Sequence, residues 1–365
     1  MPSHSLSRSL LSIYRKFQYM ICGRPRYGVM QPGKEVRVEP FRFEENHGDI
    51  VHPCIRYIPD GYLGHHWWMV YTPYYCADSS MENPILCYSD VEDANCPPTE
   101  WRVFGLVNEK PEEGYNSDPT LLYTDGALCV FWRENYEKGS HSFYRATFAA
   151  KIVKGGFERI TEPLLRTDDA EIDAETCPCF MPSADGKVMA YGMHLRFHSP
   201  RINRMRPFLK RLVERVVYVT DLLGGYSPQK HYGLAIWKQG EVSWLKPFKY
   251  EETIKFKNCN KLYRPWHMDF FDWQGKRYCV VQTNQCNADV ALAVCEDNKT
   301  FTFYKKPLIT NKNIGKLGIY KPCAGVTPDG SFFLYYTAQD PSNRSLNELF
   351  LTKMSFDDLM VKMHI

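Results

Sequence analysis

An all-β fold, a five-bladed β-propeller of four-stranded antiparallel blades, is the architecture predicted by these 365 residues. Three observations predict it. One theme recurs five times: His52-Pro53, Asp118-Pro119, Cys177-Pro178, Trp266-His267 and Lys321-Pro322 each open an extended run. Each run leads to a turn tripeptide and a second aromatic-rich run; the turns are Pro59-Asp60-Gly61, Thr124-Asp125-Gly126, Ala184-Asp185-Gly186, Trp273-Gln274-Gly275 and Pro328-Asp329-Gly330. Aromatic residues are 15% of the chain, with 24 Tyr and 21 Phe, which suits half-buried pleated surfaces. A repeat of strand pairs with short polar connections marks a radial array of blades.

The elements follow in chain order. Leu6, Leu10, Ile13, Phe17 and Ile21 recur at helical spacing and predict an amphipathic helix over 6–21, ended by Gly23 and Pro25. Residues 1–26 are therefore set apart from a propeller over 27–365. Val36, Val38, Phe41 and Phe43 alternate as a strand does, and that strand can close the ring by completing a blade made from the other terminus. The first blade is expected at 54–58, 67–72, 85–89 and 101–104, and the second at 120–123, 127–133, 143–148 and 157–161. The fourth is expected at 268–272, 277–282, 290–295 and 301–304. The fifth is expected at 323–327, 332–337 and 348–353, with a last strand at 359–363. The gap from Pro178 to His267 is the longest between copies, so the third blade carries an insertion, 195–229, and resumes at 233–237 and 242–245. The insertion is basic (Arg196, Arg201, Arg204, Arg206, Lys210, Arg211, Arg215), and Phe208, Leu209, Leu212, Val213, Val216 and Val217 give it a helical apolar stripe.

Composition bounds the function. A net charge of +3 gives no global reason for a nucleic-acid partner. The 13 Cys are scattered through strand-like runs and are expected to be reduced and buried; Cys177 and Cys179 have no second pair at zinc-ribbon spacing. Arg8, Arg15 and Lys16 interrupt the first apolar stretch, so no signal peptide is expected, and no run reaches the roughly 18 apolar residues of a membrane span. A cytoplasmic location is the expectation. The two basic amphipathic segments suit either peripheral contact with an anionic membrane surface or packing on the outside of the fold. No phosphate loop, dinucleotide fingerprint or nucleophile elbow is present.

In a propeller the strand starts ring one axis, so residues distant in sequence meet there. The ring offers His52, Asp118, Cys177 with Glu175 before it, Trp266 and His267 with Asp269 after them, and Lys321 with Tyr320; Asp49 precedes the first blade. Carboxylates, histidines and aromatics together suit carbohydrate chemistry, two carboxyls acting across a glycosidic bond. Trp67, Trp132 and Trp266 are candidate platforms for sugar rings, with Arg133, Glu134, His52, His267 and Lys321 as polar contacts. His52 and His267 could hydrogen-bond sugar, coordinate a metal or water as a pair, or be buried structural groups. No metal-ligand set is assigned.

The stretches HPCIRYIPDGYLGHHWWMVYTPYY, MENPILCYSD and NSDPTLLYTDGALCVFWRE resemble the first two blades of five-bladed glycoside hydrolases, typified by families 43 and 32. The resemblance as a blade pattern spans most of 48–355 and implies a carbohydrate substrate. Family 43 has a general-base Asp where His52 stands. Asp118 matches the transition-state-stabilising Asp of family 32. Glu175-Thr176-Cys177-Pro178 is similar to the acid/base Glu motif of family 32 but one residue longer. Family 43 has its acid Glu in an E-G-P motif where this chain has Trp266-His267-Met268-Asp269. The implied catalytic set is Glu175 as acid and Asp118 as second carboxylate, with Asp49 or Asp269 as base. The one cofactor that the resemblance brings is an axial calcium near His267. The expected function is a glycosidase-like enzyme. The alternatives are a catalytically inactive glycan-binding propeller or a cytoplasmic component of surface-polysaccharide assembly.

Overall fold

The computed structural model describes residues 28–39, 48–136, 145–167, 174–182, 188–195, 232–237, 249–253, 255–258, 265–283, 289–295 and 297–364. The helix expected over 6–21, most of the insertion and the strand expected at 242–245 lie outside these. The structure is mostly β, and its strands form five antiparallel meanders.

A short strand, β1 (Lys34–Val38), precedes the first meander: β2 (Val51–Tyr62), β3 (His65–Thr72), β4 (Ile85–Ser89) and β5 (Glu100–Leu106). The second has β6 (Gly114–Thr124), β7 (Ala127–Tyr136), β8 (Arg145–Val153) and, both on β8, β9 (Gly156–Arg159) and β10 (Leu165–Thr167). The third has β11 (Ala174–Pro182), β12 (Val188–Leu195), β13 (Tyr232–Trp237) and β14 (Lys249–Thr253). After β15 (Lys255–Lys257), the fourth has β16 (Pro265–Trp273), β17 (Lys276–Thr283), β18 (Asp289–Cys295) and β19 (Thr300–Phe303), with β20 (Ile309–Thr310) also on β18. A short helix, α1 (Asn311–Ile314), leads to the fifth: β21 (Leu317–Val326), β22 (Ser331–Asp340) and β23 (Asn343–Ser355), followed by α2 (Phe356–His364).

Turn chemistry explains the reversals. Two-residue hairpin turns that match strand twist require positive φ at both central residues. Asp125-Gly126 (φ 50 and 71) and Gln274-Gly275 (φ 49 and 72) provide it at expected turns. The first hairpin differs: β2 runs on through Pro59-Asp60-Gly61, and the chain reverses at Leu63-Gly64 (φ 50 and 90). A register shift between Tyr57 and Tyr62 absorbs the extra residues.

Both faces of the meanders are buried, because each packs on the next. Trp68, Val70 and Leu86 of the first meet Leu121, Val130 and Trp132 of the second. Phe131 of the second stacks on Phe180 of the third at 3.8 Å between centroids. Tyr191 of the third stacks on Phe270 of the fourth at 4.1 Å. Phe271, Val280 and Leu292 of the fourth meet Phe332, Leu334 and Tyr336 of the fifth. Trp67, Met69 and Tyr71 of the first meet Phe333, Tyr335 and Leu351 of the fifth. The five apolar interfaces thus close on themselves. The first strands do the same: β2 touches β6, β6 touches β11, β11 touches β16, β16 touches β21, and β21 touches β2.

The closing strand corrects one expectation. The segment 359–363 is not a strand but part of α2, whose Phe356, Leu359 and Met363 pack on the core between the fourth and fifth meanders. The fourth strand of the last meander is β1, antiparallel to β23 through Lys34–Leu351 and Val36–Leu349, and its far end runs parallel to β5. The strand read from Val36 to Phe43 therefore starts two residues earlier, at Lys34, and its expected part at 40–43 lies outside the described residues. Among the described residues, no helix is long and apolar enough to cross a membrane, and none of the nine described cysteines is in a disulfide.

Because Val36 is the buried side chain of the closing strand, Val36→Ala is expected to lower stability by about 2 kcal/mol. Urea unfolding checks this: the midpoint falls with an unchanged slope, and an unmoved midpoint shows that the strand does not hold the ring.

Candidate active site

The recurring dipeptide of the sequence is a recurring bulge. In every first strand the pairing skips: Val51 to Cys54, Ser117 to Thr120, Thr176 to Cys179, Pro265 to Met268, and Tyr320 to Cys323. The partner strand advances one residue fewer each time, so each first strand holds one extra residue there. Proline suits the position, having no N–H to lose from the ladder. His52 (φ 54) and Asp118 (φ 49) adopt left-handed backbone without being glycine. Such strain persists where the surroundings impose it and is found at functional sites.

These bulges bring His52, Asp118, His267 and Lys321 together, all buried. Nε2 of His52 lies 3.3 Å from Oδ1 of Asp118, and its Nδ1 lies 2.8 Å from Oγ1 of Thr72 and 3.3 Å from Oε2 of Glu82. The His52 and His267 rings are 5.0 Å apart, and Tyr320 meets His267 edge-on at 4.5 Å. Arg133 reaches Oδ2 of Asp118 at 2.7 Å and also donates to Ser117 Oγ, as does Asn135. Nζ of Lys321 donates to the Pro119 carbonyl at 2.7 Å, and its backbone N–H donates to Oε1 of Gln282 at 2.9 Å.

Electrostatics sort the charges. Burial alone would raise the Asp118 carboxyl, but the Arg133 guanidinium and the Lys321 ammonium hold it well below the usual carboxylate range. Burial, with the Lys321 and Arg133 charges, holds the His267 imidazole well below its ordinary value, hence neutral. Burial pushes Glu82 up against the opposing hydrogen bond from His52. Nδ1 of His52 faces Thr72 and Glu82, and in the tautomer protonated at Nδ1 the Nε2 lone pair faces Asp118. Nε2 makes no hydrogen bond. A lone pair set against an ionised carboxylate is repulsive unless a cation lies between them. One ligand atom each from His52, Asp118 and His267 lies within 4.8 Å of the others, a spacing that can hold a metal ion. Two imidazoles and a carboxylate suit a first-row divalent ion, whereas calcium takes oxygen ligands.

The other candidates fall elsewhere. Asp269 lies one layer along the axis: Arg56 forks onto it at 2.8 and 3.3 Å, Cys179 Sγ is at 3.4 Å, and the Ala324 N–H donates at 3.1 Å. Asp49 accepts from the backbone and side chain of Asn347 at 2.6 and 2.8 Å and from the Tyr74 N–H, tying β2 to β23. Both oxygens of each carboxylate are thus occupied by donors. Trp67 is 0% exposed in the core with Nε1 on the Asp93 carbonyl, which leaves no face for a sugar. Trp132 is also core and donates to Glu134, which accepts further from Asn108 and Tyr136. Glu175 lies on β11 in register with His194, and Trp266 lies in the β16 bulge; their side chains are outside the described part.

Glu82, Thr72, Gln282, Tyr115 and Arg145 join the site without having been read from the sequence. Glu82 ends the β3–β4 connection, which the Asn116 N–H pins by donating to its carbonyl at 3.2 Å. No repeat position marks it. Tyr74, Tyr115, Tyr320, Arg133 and Arg145 are half-buried and form the outer side of the site.

No protein-family model matches the chain, and no curated protein is similar to it. Solved structures do share its fold. An N-acetylgalactosamine deacetylase from F. plautii, in complex with blood group B trisaccharide, matches with TM-score 0.67 and 14% identity, over 92% of this chain and 97% of that one. An arabinanase from Bacillus subtilis matches with TM-score 0.54 and 12% identity, over 86% and 97%. A family 43 β-xylosidase/α-arabinofuranosidase from a compost metagenome, in complex with xylotriose, matches with TM-score 0.52 and 13% identity, over 88% and 94%. The fold is that of the five-bladed propellers among them.

The buried Arg56–Asp269 pair is expected to be structural. Arg56→Met, which strands the carboxylate, lowers stability by about 3–5 kcal/mol, and Arg56→Met with Asp269→Leu recovers most of it. Thermal and chemical denaturation check this; a double variant as weak as the single one refutes the pairing.

Proposed function

We propose that this chain is a glycan-acting hydrolase, one that depends on a divalent cation and removes an N-acyl group from an amino sugar. One observation carries the reading: the buried donor set of His52, Asp118 and His267, with Nε2 of His52 facing a carboxylate and making no hydrogen bond. When bound, a zinc-like ion supplies Lewis acidity, polarising an acyl oxygen and acidifying water.

The chain's own residues prepare the site. Glu82 and Thr72 keep the proton of His52 on Nδ1 and the lone pair on Nε2, an outer arrangement that orients a ligand and raises its basicity. Arg133 keeps Asp118 ionised. Burial keeps His267 neutral and able to donate its lone pair. Tyr74, Tyr115 and Tyr320 offer aromatic faces and hydroxyls on the half-buried side. In this reading the five meanders are blades around one axis and the bulges open onto the substrate. The likeness in fold to the deacetylase, TM-score 0.67, supports the reading.

A second reading is glycosidic cleavage with Asp118 and Glu175 as the two carboxyls. Likeness to the family 43 structures favours it.

Protein stripped with a chelator and titrated with Zn²⁺ is expected to bind one ion. His52→Ala, Asp118→Ala and His267→Ala abolish binding, and Glu82→Gln weakens it about 10–100-fold. Acetate release from N-acetylhexosamine oligosaccharides should need the ion. Reducing-sugar release that survives the chelator and is lost in Asp118→Asn and Glu175→Gln would replace this reading with the glycosidic one.

A further inference from the structure

The outer side of the site is a regular grid. On β6, β7 and β8, Ser117 pairs with Arg133 and Arg133 with Thr147, while Tyr115 pairs with Asn135 and Asn135 with Arg145. Directly paired residues share a face, so these two rows lie side by side on one face of the sheet. Arg133 and Arg145 are diagonal neighbours in it. Arg133 is anchored by Asp118 and Ser117. Arg145, one diagonal step from Arg133, feels that guanidinium as a repelling charge and the Asp118 carboxylate as an attracting one. Lys321 adds a third cation at the axis. Among the described residues of the site these three stand against two carboxylates, Asp118 and Glu82, and a bound divalent ion would widen the excess.

Two half-buried guanidinium groups held at diagonal positions repel each other, and an anion laid across both relieves the repulsion. The planar fork of Arg145 matches the oxygens of a carboxylate or sulfate, and Arg133, whose Nε and Nη2 are engaged by Ser117 and Asp118, adds its charge. Tyr115, on the same face, gives an adjoining flat surface for a sugar ring. We infer that the glycan handled at this site is acidic, with a carboxylate or sulfate ester seated on Arg133 and Arg145. This rests on the glycan reading above but not on its metal chemistry.

Calorimetry on chelator-stripped protein tests it without turnover. The probes are digalacturonate, a 6-sulfated digalactose and neutral digalactose. At least one acidic probe is expected to bind about tenfold more tightly than the neutral one, the difference falling as salt rises. The stronger of the two identifies the anion as carboxylate or sulfate. Arg145→Gln, with folding verified by its thermal transition, brings acidic and neutral probes within about twofold, and Arg145→Lys keeps part of the preference. Equal binding of all three probes to the unaltered protein, or a full preference in folded Arg145→Gln, overturns the inference. Loss of Zn²⁺ binding or acetate release leaves it standing.

Discussion

The Arg56 guanidinium lies at the centre of the ring of first strands and forks onto the Asp269 carboxylate. Four of the five first strands meet there: β2 through Arg56, β16 through Asp269, β11 through the Cys179 thiol and β21 through the Ala324 N–H. Neither charge would be tolerated there alone, since an unpaired buried charge costs several kcal/mol. These four strands are thereby tied to one another next to the bulges that carry His52, Asp118, His267 and Lys321.

Bulges create a second demand. Skipping a pair leaves backbone N–H groups without a strand partner, and buried donors must be satisfied. Along the inner edge of the first strands, just past the bulges, sulfur accepts two such groups: the Ile55 N–H donates to Cys323 at 3.1 Å and the Leu121 N–H to Cys54 at 3.2 Å. Cys54 also meets Thr120 Oγ1 at 3.3 Å. Thiols are small enough for this crowded position and can accept weakly from an N–H. This accounts for Cys54 in β2 and Cys323 in β21, while Cys179 in β11 donates to Asp269.

In the adjoining layer, four of the five bulges gather His52, Asp118, His267 and Lys321. The reactive groups are fixed from several directions. His52 is held from behind by Thr72 and Glu82, and Asp118 from the side by Arg133. Glu82 reaches the site only because the β3–β4 connection is pinned to β6 through Asn116. Groups held this way need little reorganisation when a ligand arrives, which is what electrostatic preorganisation requires. The half-buried side, with its tyrosines and arginines, is where the chemistry can meet solvent.

Much of this was written in local pattern. Five strand starts, their proline-bearing dipeptides and the turns at Asp125-Gly126 and Gln274-Gly275 are local backbone chemistry, so the sequence alone determined the repeat and placed His52, Asp118, His267 and Lys321 on one ring. It did not determine which carboxylates stay available. Asp49 and Asp269 read as bases, yet Asn347 and Arg56, distant in sequence, occupy their oxygens. Trp67 and Trp132 read as sugar platforms, yet neighbouring meanders enclose them. Glu82 and Arg145 carry no repeat signal and gained their place from the tertiary fold. Closure by β1 rather than by the segment at 359–363 was likewise settled by packing, since α2 can bury Phe356, Leu359 and Met363 on one helical face. Periodicity reports which way a side chain faces; only the folded ring decides what it faces.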